Sequence, residues 1–136
     1  MRRQAVLAAV AAGLGVAASG RSQAQAGAPV DAVSLDAARA ELEAGRAILI
    51  DIREPGEHAT GVAAGAKLLP MRQLGQRLAE IPADPSRPVL LICNTQNRSS
   101  AVLRALRERG YENVRYVQGG MSEWARRGWP MVMPGA

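Results

Sequence analysis

Hydrophobic and polar positions along the chain fall into alternating short blocks. The run AILIDI at 47–52 and the run VLLIC at 89–93 are almost wholly apolar and rich in branched residues. Each has the length and composition of a strand buried on both faces. A shorter run, VRYV at 114–117, reads as a third strand, and 30–33 as a short first one. Between them the apolar spacing changes to three and four residues. Leu35, Ala38 and Leu42 predict a helix over 35–44, with Ser34 as its N-cap and Gly45 as its stop. Val102, Leu103 and Leu106 predict a helix over 99–109, ended by Gly110. A weaker amphipathic pattern covers 71–81, and a last helix is expected over 121–127 after a Gly119-Gly120 turn. The Gly-, Ala- and charge-rich stretch 53–70 reads as loops with one or two helical turns, and 82–88 as a loop. No repeat is visible beyond the first residues.

Strands that alternate with helices imply a parallel sheet, because parallel neighbours need crossover connections. The expected fold class is α/β, a three-layer α/β/α sandwich around a parallel central sheet. Ligands in such sheets bind beyond the carboxyl ends of the strands. Asp51 and Cys93 both stand at such ends.

The amino terminus departs from this pattern. Arg2 and Arg3 precede an unbroken run of Ala, Val, Leu and Gly from 5 to 18, and Ala24-Gln25-Ala26 has the small-x-small form of a signal-peptidase site. Residues 1–26 therefore read as a signal peptide cleaved after Ala26. Residues 27–32 read as a linker and first strand, and 33–133 as the folded domain. The apolar run is shorter than the roughly 20 residues a membrane-crossing helix needs. An uncleaved anchor is the alternative, and the arginine pair fits either Sec or twin-arginine export. The expected location is periplasmic or secreted, with no membrane span after cleavage. Loss of 1–26 removes three arginines and no acid, which lowers the net charge from +5 to +2. What remains gives no ground for a nucleic-acid partner.

The chain of 136 residues is long enough for one domain, and 48% of it is apolar. Phe is absent, so Leu, Val, Ile and Ala must fill the core. Arginine outnumbers lysine sixteen to one, a bias of genomic composition rather than of function. One cysteine and one histidine cannot build an ordinary metal site. In an oxidising compartment a single cysteine is a buried inert residue, an intermolecular bridge or a reactive thiol.

The segment CNTQNRS, 93–99, bears on that choice. A thiol at a strand's end, followed closely by a helix, faces free backbone N–H groups and a positive helix terminus. Arg98 adds a fixed positive charge. Both favour an anion on or beside the sulfur. Asn94, Thr95 and Asn97 tolerate tight turns and donate hydrogen bonds. The alternative is that Cys93 is merely the last core residue of its strand.

Four segments resemble the rhodanese-like domain family: DIREPGEH at 51–58, GVAAGAKLLP at 61–70, CNTQNRS at 93–99 and YVQGGMSEWARRGWP at 116–130. The resemblance covers most of the chain after the leader. It implies a sulfurtransferase that takes sulfane sulfur from a donor, holds it as a persulfide and passes it to a nucleophile. Carried over, Cys93 is the nucleophile and Arg98 closes the loop beside an anionic donor. The active loop of Asn94, Thr95, Gln96, Asn97 and Ser99 binds that donor, and Asp51 and Arg53 support it. No metal or organic cofactor is implied. The partners are a small anionic sulfur donor and a thiophilic acceptor or partner protein. Cys-x4-Arg is the sulfurtransferase loop length, whereas the related phosphatases and arsenate reductases carry one residue more.

The departures matter. Gln96 stands where the family usually has Gly, so either a strained backbone or a shifted loop that brings its side chain to the pocket mouth is expected. Asn94 and Thr95 are neutral, which makes thiosulfate a poor donor compared with another persulfide. His58 reads as a packing residue, with a Cys-His dyad as the alternative. Trp124 and Trp129 read as packing, and Arg126-Arg127 as a solvated face. The other functional class is a non-enzymatic module that binds a partner or carries sulfur without turnover. A redox role through a mixed disulfide remains chemically open.

Overall fold

A computed structural model describes residues 30–135. The leader and its cleavage after Ala26 lie outside the described residues. No described helix is long and apolar enough to cross a membrane.

The five strands of the main sheet are β1 (Ala32–Val33), β2 (Ile48–Asp51), β4 (Lys67–Leu68), β5 (Val89–Ile92) and β6 (Val114–Val117). Their spatial order is β1-β6-β5-β2-β4, and every pairing is parallel. The central strand β5 is fully buried along its length. Burial on both faces is why it reads as an unbroken apolar run. Its side chains alternate in direction. Val89, Leu91 and Cys93 share one core with Ile50, Val102, Leu103 and Leu106. Leu90 and Ile92 share the other with Leu35, Ala38, Leu49, Met121 and Trp124.

Those two cores define the outer layers. Helix α3 (Asn97–Glu108) covers the first face, and α1 (Leu35–Glu43) and α4 (Gly120–Arg126) cover the second. The three-layer α/β/α architecture expected from the alternation of elements is thus present. Ser34 caps α1 as expected, its hydroxyl accepting from the Ala37 amide at 3.1 Å. A short helix α2 (Pro55–His58) follows β2. A separate antiparallel pair joins β3 (Val62–Ala63) to β7 (Met131–Val132).

Segment 71–81 is not the amphipathic helix that its spacing predicts. It forms two 3-10 turns, Met71–Gln73 and Leu78–Glu80. Pro70 opens the first turn, and Gly75 sits between the two. A glycine weakens a helix by about 1 kcal/mol against alanine. The Arg77 guanidinium then crosses the break, bonding Glu80, Gln73 and the Leu68 carbonyl. Leu74 and Leu78 reach the core from separate turns. Helix α3 begins at Asn97, two residues earlier than the apolar spacing indicates, and α4 takes Gly120 into its first turn.

Candidate active site

Cys93 is the residue after β5, and strand alternation turns its side chain toward α3. It is 1% exposed. Among the described residues, two polar groups reach the sulfur, and both belong to Ser99. The Ser99 amide donates to Sγ at 3.4 Å, and the Ser99 hydroxyl lies 3.4 Å from it. Ser99 is itself fully buried in the first turn of α3. Its role is therefore to support the sulfur from below rather than to meet a donor in solvent.

The loop above the sulfur has a defined polarity. The Cys93 and Asn94 carbonyls accept from the Met121 and Ser122 amides, each at 2.8 Å, so they point at the start of α4. Described peptides are all trans. In a trans peptide the N–H points opposite to its C=O. The amides of Asn94 and Thr95 therefore face away from α4. Among the described residues, the amides from Asn94 to Arg98 make no hydrogen bond to another protein group. Asn94 to Asn97 are exposed. Together with the amino end of a 12-residue helix, these amides are donors that a bound anion at the loop could use.

Gly120 makes this packing possible. Its φ is 61°, and a Cβ there would lie closer than 3.0 Å to the carbonyl oxygens of Cys93, Asn94 and Thr95. Only glycine lets α4 approach the loop this closely.

Gln96 meets the site in an unexpected way. Its φ is −159°, outside the left-handed region, so the strained backbone expected for it does not form. Nor does its side chain hang free. Its Oε1 accepts from the Gly119 amide at 3.1 Å, which ties the loop to the β6–α4 turn. Positive φ appears instead in that facing turn, at 86° for Gly119 and 61° for Gly120.

Arg98 stands in the first turn of α3 but is not a free cation. Its Nη1 and Nη2 donate to Glu57 Oε1 and Oε2, both at 2.7 Å. The Arg98 guanidinium holds the Glu57 carboxyl down at about 2, against the opposing effect of burial. Glu57 in turn raises Arg98, with a smaller contribution from Cys93. Glu57 also accepts from the Glu54 amide at 3.0 Å and so closes a capping box at the start of α2. Glu54 takes the N-cap place where the usual capping-box signature has Ser or Thr, so the sequence announces the box only weakly. Its contact with Arg98, 41 residues away, has no such local signal.

Behind the loop, Asp51, Arg53 and His58 form a buried cluster. Arg53 Nη2 donates to Asp51 Oδ2 at 2.7 Å and to the Gly61 carbonyl at 2.8 Å. Arg53 Nε reaches Asp51 Oδ1 at 3.0 Å, and the Arg53 amide reaches it at 3.1 Å. His58 Nε2 sits 3.2 Å from the Asp51 carbonyl and 3.3 Å from Oδ1. This web joins the end of β2 to α2, the helix that carries Glu57. His58 thus belongs to Asp51, and the Cys-His dyad is not formed.

Trp124 is buried and donates to the Pro130 carbonyl at 3.0 Å. Trp129 packs edge-on against it at 5.0 Å, with the guanidinium groups of Arg39 and Arg127 over its ring. Arg126 and Arg127 both pair with Glu123. An apolar hollow of about 190 Å³ lies along α3, lined by Met71, Leu74, Leu78, Val102 and Leu106. Cys93 does not line it, so the chemistry lies elsewhere.

The fold and the site together define a class: a parallel α/β domain with a buried strand-end cysteine, followed by an exposed loop that leads into the amino end of a helix. Comparison with known proteins agrees. The model of the family described as "Rhodanese-like domain" matches residues 34–127. A protein named "Sulfurtransferase" from Allochromatium vinosum is 38% identical over 105 residues, covering 77% of this chain and 94% of its own. The human single-domain sulfurtransferase TSTD1 superposes with a TM-score of 0.63 at 29% identity, over 74% of this chain and 98% of its own. A thiosulfate sulfurtransferase from Pseudomonas aeruginosa superposes with a TM-score of 0.66 at 26% identity, over 82% of this chain but 21% of its own. The chain belongs to the rhodanese-like domain family.

Proposed function

We propose that this protein is a sulfurtransferase that carries sulfane sulfur on Cys93 as a persulfide. One observation supports this reading most. Sγ lies at the carboxyl end of the central strand, receives the Ser99 amide and opens the loop whose Asn94–Arg98 amides donate to no other group among the described residues. Such a site suits a sulfur anion one bond longer than a thiolate.

The chemistry balances without a further co-reactant. The Cys93 thiolate attacks the outer sulfur of a donor such as thiosulfate. A sulfur–sulfur bond forms to Sγ, the donor's own sulfur–sulfur bond breaks, and sulfite leaves with the electron pair. The terminal persulfide sulfur is then taken by a nucleophile, cyanide in the laboratory, and the thiolate returns. Loop amides meet the negative charge at each stage, and the α3 terminus adds to them. The leader-like pattern of residues 1–26 supports a periplasmic or extracellular setting for this activity.

The test is the intact mass of the protein after thiosulfate and then after cyanide, beside a Cys93→Ser control. Gain of one sulfur atom, its loss to cyanide, and neither event in the control are the expected results. No gain from thiosulfate or from a small persulfide would overturn the proposal and leave a partner-binding module as the reading.

A further inference from the structure

The cation nearest the thiol loop is already spent on an internal carboxylate. Arg98 uses both terminal nitrogens on Glu57, at 2.7 Å each. Glu57 is ionised at any physiological pH, because its carboxyl titrates at about 2. The pair therefore presents almost no net charge. It is also held in place from behind. The Glu54 amide donates to Glu57, and the Glu54 carboxylate accepts from the Arg72 amide at 3.2 Å and Arg72 Nε at 3.1 Å. Both members of the pair are about one-third exposed, 33% and 36%, so solutes reach it. The other loop side chains, Asn94, Thr95, Gln96 and Asn97, are neutral.

A dianionic donor such as thiosulfate gains most from an uncompensated cation at the loop. A donor whose transferable sulfur sits on a persulfide with at most one charge gains much less. We propose that Glu57 is a specificity-determining residue. By neutralising Arg98 it biases the site away from dianionic donors and toward monoanionic or neutral persulfides. The proposal rests on the persulfide reading of Cys93 given above.

The experiment compares single-turnover loading of Cys93 by thiosulfate and by the persulfide of 2-mercaptoethanol, in wild type, Glu57→Gln and Glu57→Asp, across a salt series. Glutamine keeps an acceptor for the Glu54 amide and Arg98 but removes the charge. In Glu57→Gln the ratio of thiosulfate to persulfide loading should rise about fivefold, the scale of a partly exposed ion pair. Its thiosulfate rate should also fall more steeply with salt than that of wild type. Glu57→Asp keeps the charge and loses the two-point geometry, so its donor ratio should stay near wild type.

An unchanged ratio in Glu57→Gln overturns the inference. So does a ratio in Glu57→Asp that follows Glu57→Gln, since that outcome assigns Glu57 a purely positional role. If Glu57→Gln does not fold, the wild-type salt series decides: a nearly flat thiosulfate dependence supports a neutral mouth, and a steep one refutes it. A wild type that loads from neither donor removes the persulfide reading itself. A wild type that loads while the Glu57→Gln ratio stays fixed removes only the role given to Glu57.

Discussion

Replacing Gly120 by alanine tests the packing that aims the loop amides, and Gly45→Ala is its natural control. Both glycines have positive φ, 61° and 71°. Both substitutions therefore put an L side chain in the left-handed region, at about 1–2 kcal/mol each. They differ in surroundings. Nothing lies within 4 Å of a Cβ on Gly45, whereas a Cβ on Gly120 collides with the carbonyl oxygens of Cys93, Asn94 and Thr95. Backbone oxygens cannot swing aside as the tip of a side chain can. Relief requires α4 to back away, which breaks the bonds from Met121 and Ser122 to the Cys93 and Asn94 carbonyls. Two such bonds at about 1 kcal/mol each bring the total for Gly120→Ala to about 3–4 kcal/mol. In a domain of this size each kcal/mol lowers Tm by about 4–8 °C, so Gly120→Ala should melt at least about 12 °C below wild type. Gly45→Ala should lose only a third to a half as much. The assay is calorimetric Tm, together with the rate of sulfur loading on Cys93 well below both transitions. Gly120→Ala should load much more slowly, because the Cys93–Asn94 and Asn94–Thr95 peptides lose the α4 contacts that set their orientation, and Gly45→Ala should load normally. Equal melting and equal loading in the two variants would refute the argument that α4 sets the loop.

Three further outcomes are expected. Asp51→Asn leaves the buried Arg53 guanidinium without its carboxylate and should cost about 3–5 kcal/mol in urea unfolding, with part recovered in Asp51→Asn/Arg53→Met; a loss below about 1 kcal/mol would contradict the buried pair. Ser99→Ala removes one of the two groups on Sγ and keeps the amide, so sulfur loading should slow about fivefold, equivalent to about 1 kcal/mol; an unchanged rate would show that the hydroxyl plays no part. Glu57 has its carboxyl lowered from 4.5 to about 2, so its contribution to stability is complete above 4.5 and is lost as pH falls through about 2. Discounted for exposure, this amounts to about 1 kcal/mol. Between about pH 5 and pH 2 wild type should lose that much more stability than Glu57→Gln, and parallel curves would refute the assignment.

Much of the scaffold is visible in the one-dimensional pattern. β2 and β5 stand out because burial on both faces of a parallel sheet leaves no polar alternation, and β6 is marked by its valines at each end, with Arg115 and Tyr116 half-buried between them. α3 stands out because Val102, Leu103 and Leu106 must all meet one sheet face. The two-residue strands β3, β4 and β7 carry no period of their own, and pairing with a distant partner is what makes them strands. At 71–81 the apolar spacing is genuine, since Leu74 and Leu78 do reach the core. Two short turns meet that spacing as well as one helix does, and Pro70 and Gly75 favour the turns.

From the sequence alone follow an α/β sandwich, a lone cysteine at the carboxyl end of a buried strand and a loop of six residues from Cys93 to Arg98. All of these follow from local spacing, because strand alternation and helix termini are properties of neighbouring residues. Only the tertiary structure decided that Arg98 is held by Glu57, that Gln96 is tied to Gly119, that His58 serves Asp51 and that Gly120 presses on the loop carbonyls. These contacts join residues 7 to 41 positions apart, or more distant backbone, across the carboxyl ends of separate strands. Parallel pairing brings those ends together in an order, β6-β5-β2, that the chain order does not contain. Charge compensation and close packing depend on distance in space, so no local pattern along the chain records them.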